Sequence, residues 1–599
     1  MDGTKGTADG IAGVVNAQES THARVARHAF LRALQAFFTT PRGWWLICIV
    51  VAAIEIWPVR HRINPDGLSY LDIATQASKG DLAALVNLYW SPAYPALTGA
   101  GLFLLRPSPA WEVPVLQLAN FLIFILALWA FSLFYRYWSE LNPEIGQASS
   151  TAKGLIALFA FASFLRTTTS SMFVDLTTPD MLVATVIFFA AAMGCRISRP
   201  GTGWKHFVGL GVLLGSGMYV KAALFPLCLV FIFLLLISLW RTSAIPHGRQ
   251  LAYLGATAAI CAAVAAPLII ALTVQKGGFT TGETGKLNYL WYVDRFKPDH
   301  FGWTGDTAPE YGTPLHPPRV LIENPRVLEF ETPVGGTFPL WYSPAYWYAG
   351  AKTVFNFHKQ IETLGESARE FRRIAVRDWG YLAGAILLFA FSLWKRRSDH
   401  PTRLSFWMLA WPLVAFAMYS LVYVESRYVA PFLLLFGLEV YRALAFRVEK
   451  HIALGICSVA LVIAMYPVAR NVTGWIGVSV EQFRHPVENE YLVTADILKR
   501  LGLQPGDMLA VAGSGFRSYY AQYDRLRVIA LFTDPDEYWQ MSPADAKRVE
   551  DRLASIGVKA IVAISRPSSP HDAGWIEAGS AEGRPFSVLL LQPANAPPH

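Results

Sequence analysis

The sequence predicts a polytopic α-helical membrane protein of about 11 spans, with interfacial helices in its first outer loop and a soluble α/β domain at its C-terminal end. Three observations predict it. Of 599 residues, 53% are hydrophobic and only 16% are charged, against about 25% charged in soluble domains. About 11 apolar runs approach the ~20 residues that a bilayer core demands. Beyond residue 471, strand-like and helix-like segments alternate.

In chain order, residues 1–42 are polar and carry Arg24, Arg27, Arg32 and Arg42. No small-residue cleavage site follows the first apolar run, so a retained span is expected there. The spans are expected at 43–60, 112–136, 152–170, 179–196, 206–220, 222–240, 251–273, 379–394, 404–423, 428–446 and 451–469. A further run, PAYPALTGAGLFLL (92–105), is short and bounded by Pro92, Pro95, Pro107 and Pro109. The short basic loops decide its role. Arg196, Arg199 and Lys205, then Arg241 and Arg249, then Lys395, Arg396, Arg397 and Arg403, then Arg442, Arg447 and Lys450 all share the side of the N-terminus only if 92–105 does not cross. Lys and Arg mark cytoplasmic loops, so 92–105 is expected to lie in the outer interface. The N-terminus is then cytoplasmic and the C-terminal segment outside.

The units expected are a cytoplasmic segment (1–42), a first transmembrane module (43–274), a long outer loop (275–377), further transmembrane helices (378–470) and an outer α/β domain (471–599). Within the last, helices at 488–501, 516–523 and 543–556 and strands at 508–512, 527–532, 558–564 and 586–592 suggest a small, mostly parallel sheet. GSGFRS after its first strand is a weak phosphate-loop echo and reads better as a turn. Cys48, Cys195, Cys228, Cys261 and Cys457 are odd in number, widely spaced and set in apolar runs. They read as small buried hydrophobes. The +8 net charge is accounted for by basic loops between spans, with no nucleic-acid signature.

The unusual residues fall on the expected outer face. Asp66 follows the first span and precedes a short amphipathic segment with Leu68, Leu71, Ile73, Ala74 and Ala77. It reads either as a helix N-cap or as a general base. Asp175 and Asp180 lie in the loop before the fourth span, where facing acidic loops can supply a general base and a partner or a pair of metal ligands; Asp180, at a helix start, also reads as only a cap. Lys221 interrupts roughly 30 apolar or small residues, where charge is costly. It reads as an interfacial anchor or as a phosphate contact. Glu425 and Arg427 precede Tyr428. They read as a surface ion pair or as a phosphate-binding Arg held by Glu. Arg166, Arg372, Arg373 and Arg377 are further cations for that face. Trp341, Tyr342, Tyr346, Trp347 and Tyr348 read as interfacial belt residues. His300 and His316 are too isolated to imply a metal site.

PDGLSYLDIA, LYWSPAYPALTGAGLFLL, DLTTPDMLVATVIFFAAAM, GLGVLLGSGMYVKAALFP and ESRYVAPFLLLF stand in an order and on a common face that resemble the GT-C superfamily of integral-membrane glycosyltransferases. The likeness is nearest to its protein O-mannosyltransferase and lipid A aminoarabinose transferase branch. It covers roughly 43–240 well and 404–446 more loosely. It implies a GT-C-like fold in the plasma (bacterial inner) membrane, with a polyprenyl-phosphate sugar as donor and an envelope glycan, lipid or protein as acceptor. It implies Asp66 as base and Asp180 and Asp175 as competing second acidic residues; with a lipid-linked donor at that face, Lys221 and Arg427, with Arg166 as a further cation, are read on the donor phosphate. Glu425, Tyr428 and Tyr70 are expected in support. No metal ligand set and no cofactor is named, and a divalent cation is left open. The sequence departs from the pattern at Gly67, where many relatives carry a second carboxylate. The rival classes are a transporter or flippase, which would favour repeats and midplane charges, and a non-catalytic envelope scaffold.

Overall fold

The computed structural model describes residues 41–242, 245–296, 303–305, 309–330, 334–394, 404–485, 489–581 and 583–591. Arg24, Arg27, Arg32, His300, Lys395, Arg396, Arg397 and Arg403 lie outside them. A helix stands at every expected span: Pro41–Ile56, Pro109–Leu141, Ser150–Thr167, Asp180–Ile197, Trp204–Val220, Leu224–Thr242, His247–Lys276, Trp379–Trp394, Phe406–Ser420, Ser426–Ala445 and Lys450–Arg484. Among the described residues, 8 helices are long and apolar enough to cross a membrane, or 9 if Phe357–Arg377 and Trp379–Trp394, bent by 84°, form one span. Trp204–Val220 and Phe406–Ser420 have 17 and 15 residues. At about 1.5 Å per residue they fall short of a ~30 Å core, so length and composition do not fix the count at eleven.

Sequence explains how these helices meet. In GLGVLLGSG, Gly211 and Gly215 lie on one face of Trp204–Val220. A Cβ there would stand 2.8 Å from the Thr257 carbonyl oxygen and 2.6 Å from that of Cys261. The small residues therefore let this helix press against the backbone of His247–Lys276, as membrane helices do where van der Waals contact drives association. The cysteines are all free, four of them buried and Cys457 half-buried. Arg442, read from sequence as a loop cation, is instead buried inside Ser426–Ala445. It holds Glu439 (2.6 Å) and Glu144, so it contributes little to the loop-charge asymmetry.

The α/β unit differs from expectation in two ways. Its strands are β1 (Arg319–Ile322), β2 (Val327–Glu329), β3 (Met508–Ala512), β4 (Arg527–Phe532), β5 (Val558–Ile564), β6 (Trp575–Ala581) and β7 (Arg584–Leu590), in the order β1-β2-β4-β3-β5-β7-β6. Only β3 with β4 and β3 with β5 are parallel; the other four pairings are antiparallel. The expectation of a mostly parallel sheet is therefore corrected to a mixed sheet. Parallel pairing needs a crossover, and helices supply one only between β3, β4 and β5. Second, β1 and β2 come from the long loop, so 275–377 and the C-terminal domain share a sheet. The expected boundary at 470/471 falls inside the continuous helix Lys450–Arg484.

Candidate active site

The ends of four helices converge on one cleft of about 520 Å³, within the ~300–1,000 Å³ usual for small-molecule sites. Asp66 comes from Pro65–Ser78. That helix is opened by Asn64 with Pro65 at its first position, where a missing N–H costs nothing. Asn64, not Asp66, is therefore the N-cap residue. Its side chain accepts from the Thr177 amide at 2.9 Å, tying the site helix to the acidic loop. Asp66 sits in the first turn, where the helix dipole favours a carboxylate. Asp180 opens Asp180–Ile197. Lys221 ends Trp204–Val220 in an extended conformation. Arg427 lies in the first turn of Ser426–Ala445.

These side chains form one charged cluster. Lys221 Nζ lies 2.7 Å from Asp180 Oδ1 and 3.8 Å above the Tyr428 ring. Arg427 reaches Asp180 Oδ2 (3.4 Å), Asp66 Oδ2 (3.6 Å) and Glu425 Oε2 (3.0 Å). The Thr178 hydroxyl donates to Asp180 Oδ2 at 2.9 Å. Three carboxylates thus face two cations. Asp180 is 5% exposed with both oxygens engaged, whereas Asp66 keeps 26% of its side chain exposed. Burial raises the Asp66 carboxyl above its ordinary value; Arg427 opposes the shift and Asp180 adds to it. Glu425 is likewise pushed up by burial against the pull of Arg427.

Aromatic rings wall the cleft. Tyr70 stands edge-on to Trp90 at 4.9 Å, Trp90 to Trp341 at 5.4 Å, and Tyr292 stacks on Tyr423 at 4.2 Å. Ala222, Pro226, Met418 and Val422 form an apolar edge. Trp341, Tyr342, Trp347 and Tyr348 are buried, which corrects their reading as belt residues facing lipid. Residue type alone does not distinguish a ring at the bilayer surface from one inside a cleft.

Of the sequence candidates, Asp66, Asp180, Lys221, Glu425, Arg427, Tyr428 and Tyr70 line this cleft. Asp175 and Arg166 do not. Asp175 faces Arg62 at 3.8 Å, and burial raises its carboxyl. Arg166 is buried at 2.7 Å from Asp378. Arg377 donates to the Ser171 hydroxyl at 3.1 Å. Arg373 pairs with Glu370 at 2.9 Å and lines an adjoining cleft of about 470 Å³. The residues sequence reading missed are Tyr89, Trp90, Tyr292, Tyr419 and Tyr423. Their only signal was an aromatic density next to Pro and Ser, as in LYWSP.

Gly67 has a steric reason. A Cβ there would collide with Thr177 and lie 2.7 Å from Ile63 Cγ1, so no second carboxylate fits at this position. Among the described residues no group of three His, Cys, Asp or Glu is placed to hold a metal ion. Ala93–Leu105, 13 residues long, packs on the site helix, where a Cβ on Gly99 would stand 2.9 Å from the Ala74 carbonyl oxygen.

No family model matches the chain, and no curated protein matches it. Among solved structures, the chain is similar to ArnT from Cupriavidus metallidurans bound to undecaprenyl phosphate, at 12% identity over 91% of this chain and 98% of that one, with a TM-score of 0.49. It is also similar to the Archaeoglobus fulgidus oligosaccharyltransferase in complex with Zn and sulfate, at 12% identity over 87% of this chain and 67% of that one, with a TM-score of 0.46. A likeness at this level carries no functional inference.

Proposed function

We propose that the protein transfers a sugar from a polyprenyl-phosphate-linked donor to an acceptor hydroxyl of the cell envelope, at the outer face of the plasma (bacterial inner) membrane and with inversion. The observation that carries this reading is the meeting of Asp66, Asp180, Lys221 and Arg427 in one cleft at the ends of membrane helices. A lipid-linked donor keeps its tail in the bilayer and its phosphate at headgroup depth. The apolar edge at Ala222, Pro226, Met418 and Val422 suits the tail, the Lys221–Arg427 pair suits the phosphate, and the aromatic wall suits the sugar.

In this mechanism Asp66 takes the proton of the acceptor hydroxyl. The acceptor oxygen bonds to the anomeric carbon as the bond from that carbon to the phosphate oxygen breaks. The electron pair leaves with polyprenyl phosphate, whose growing charge Lys221 and Arg427 stabilise. Asp66 then releases its proton to solvent. Asp66 suits the base role better than Asp180, because its side chain is 26% exposed with only Oδ2 near Arg427, while both oxygens of Asp180 are occupied. Asp180 is a positioning residue that aims Lys221 and Arg427. Asp175 and Arg166 have no part.

The test is the purified protein in nanodiscs, given polyprenyl-phosphate sugars. Release of free polyprenyl phosphate together with a glycosylated acceptor, identified by comparing envelope glycans and lipids with and without the gene, is the expected result. Movement of a polar substrate across vesicles with no consumption of any lipid-linked sugar would favour a transporter and overturn the proposal.

A further inference from the structure

The C-terminal domain takes no direct part in that chemistry, yet it is bound to the site helix through a buried polar junction. Asp72, two turns beyond Asp66, is 5% exposed. Its carboxylate accepts from the Thr337 amide (2.8 Å) and from the Thr337 hydroxyl (2.8 Å). Gln522, from the helix Tyr519–Tyr523 that follows β3, meets the same hydroxyl at 2.5 Å. A hydroxyl has one proton, and here Asp72 takes it. The Gln522 amide therefore turns its nitrogen inward. That orientation donates to Asp72 Oδ1 at 2.7 Å and lets the oxygen accept from Arg525 Nη1 at 2.7 Å. Arg525 also pairs with Glu112, at the head of Pro109–Leu141.

The segment around Thr337 is held on both sides. Toward the membrane, the Trp341 carbonyl accepts from the Ser69 hydroxyl (2.9 Å) and from Trp90 Nε1 (3.0 Å). Toward the sheet, the Val528 amide donates to the Thr337 carbonyl at 2.9 Å. Phe516, in the GSGFRS turn, stands edge-on to Trp341 at 5.1 Å. Gly515 beside it admits no side chain, since a Cβ would lie 2.5 Å from Phe338. The turn is thus filled by protein, and its neighbour Trp341 is a wall of the cleft.

We propose that Asp72 is a positioning residue: through Thr337 and Gln522 it locks the site helix to the C-terminal sheet, so that the outer domain sets where Asp66, Tyr70 and Trp341 stand. This rests on the reading of Asp66 as the base. Buried polar networks of this kind are strong when every member is satisfied and costly when one is removed. Small displacements at a reacting centre are expensive, about 10²-fold for 1 Å.

The experiment uses the full chain in nanodiscs with Asp72→Ala, Thr337→Val and Gln522→Leu, none of which touches the cleft. Each lowers kcat by about 10–100-fold with donor KM near the wild-type value. Thr337→Ser keeps the hydroxyl and restores turnover. Asp72→Asn restores it only in part, because its nitrogen serves the hydroxyl but turns the Gln522 oxygen inward and leaves the Gln522 nitrogen facing the donor Arg525 Nη1. Hydrogen exchange supplies a readout independent of catalysis: amides 66–78 exchange faster in Gln522→Leu, although the change lies in another domain. Wild-type turnover in Asp72→Ala and Gln522→Leu, or unchanged exchange in 66–78, overturns the proposal. A wild-type protein that uses no lipid-linked donor overturns the glycosyltransferase reading alone, and exchange still decides the lock.

Discussion

Asp66→Asn separates the proposed chemistry from a merely structural carboxylate. Asn64 rather than Asp66 is the N-cap residue, so the substitution removes no cap bond. It removes a favourable dipole interaction, about 0.3–1 kcal/mol at a helix N-terminus, and an ion pair with Arg427 at 3.6 Å on a side chain 26% exposed, worth about 0–1 kcal/mol after screening. The variant is therefore expected to insert, fold and melt within a few degrees of the wild type. Turnover is expected to fall on the order of 10²–10⁴-fold, the usual share of general-base catalysis. The assay is release of polyprenyl phosphate from a lipid-linked sugar, beside a thermal melt of the same preparation. The wild-type pH profile belongs to the same test. Burial raises the Asp66 carboxyl, and a base works deprotonated, so kcat/KM should rise with pH along a limb lying above the ordinary carboxylate range and missing from Asp66→Asn. A variant that keeps most of its turnover, or retains that limb, refutes the base assignment.

Lys221→Met should weaken donor use while the protein still folds, because Arg427 remains 3.4 Å from Asp180. Lys221→Arg should keep part of the activity, since charge survives with altered geometry; an unchanged donor KM and kcat in Lys221→Met would leave Lys221 as an anchor only. Asp175→Asn should be silent in turnover, its carboxylate facing Arg62 away from the cleft, and a loss matching that of Asp66→Asn would return it to the site. In cysteine labelling of intact cells, a cysteine at Ser108 should react from outside and one at Ser398, beyond the described residues, only from inside. Reaction of both from one side contradicts the orientation.

What the sequence made legible follows from the physics of each signal. A carboxylate or lysine at the end of an apolar run is conspicuous because the membrane penalises it, and this picked out Asp66, Lys221 and Arg427 before any contact was known. Asp175 and Asp180 stand five residues apart after the same run, and the only local mark that favours Asp180 is its place at the start of an apolar span. The choice is made by distant partners. Gln117 Nε2 donates to the Asp175 carbonyl and Asn120 Nδ2 to the Leu176 carbonyl, a turn that leaves Asp180 pointing at Lys221. Arg166 was misplaced for the same reason, since its partner Asp378 comes more than 200 residues later. The sheet was half legible. β3, β4 and β5 alternate with helices and announce themselves, whereas β1 and β2 are four and three residues long, and their hairpin joins the sheet only where β2 meets β4, about 200 residues on. Lys221 also illustrates how two local readings merge: it is at the interface, as an anchor would be, yet it points inward onto Asp180 and Tyr428.

Asp180 is the residue on which the electrostatics of the cleft turn. It holds Lys221 at 2.7 Å and Arg427 at 3.4 Å, and Thr178 fixes its second oxygen. Before a phosphate arrives, the two cations are therefore already aimed and partly neutralised. In the proposed reaction this preorganisation stabilises the transition state, because no reorganisation is left to do when charge moves onto the leaving phosphate. It also limits ground-state attraction, since three carboxylates face two cations. Asp180→Asn removes one negative charge and the best hydrogen-bond acceptor of Lys221 together. The empty cleft becomes more attractive to an anion but less ordered. The donor KM should then stay level or fall, and free polyprenyl phosphate should inhibit more strongly than in the wild type. Meanwhile kcat should drop by about 10²–10³-fold, comparable with losing one preorganised charge-stabilising contact. Unchanged inhibition by polyprenyl phosphate in Asp180→Asn would refute the electrostatic role given to Asp180.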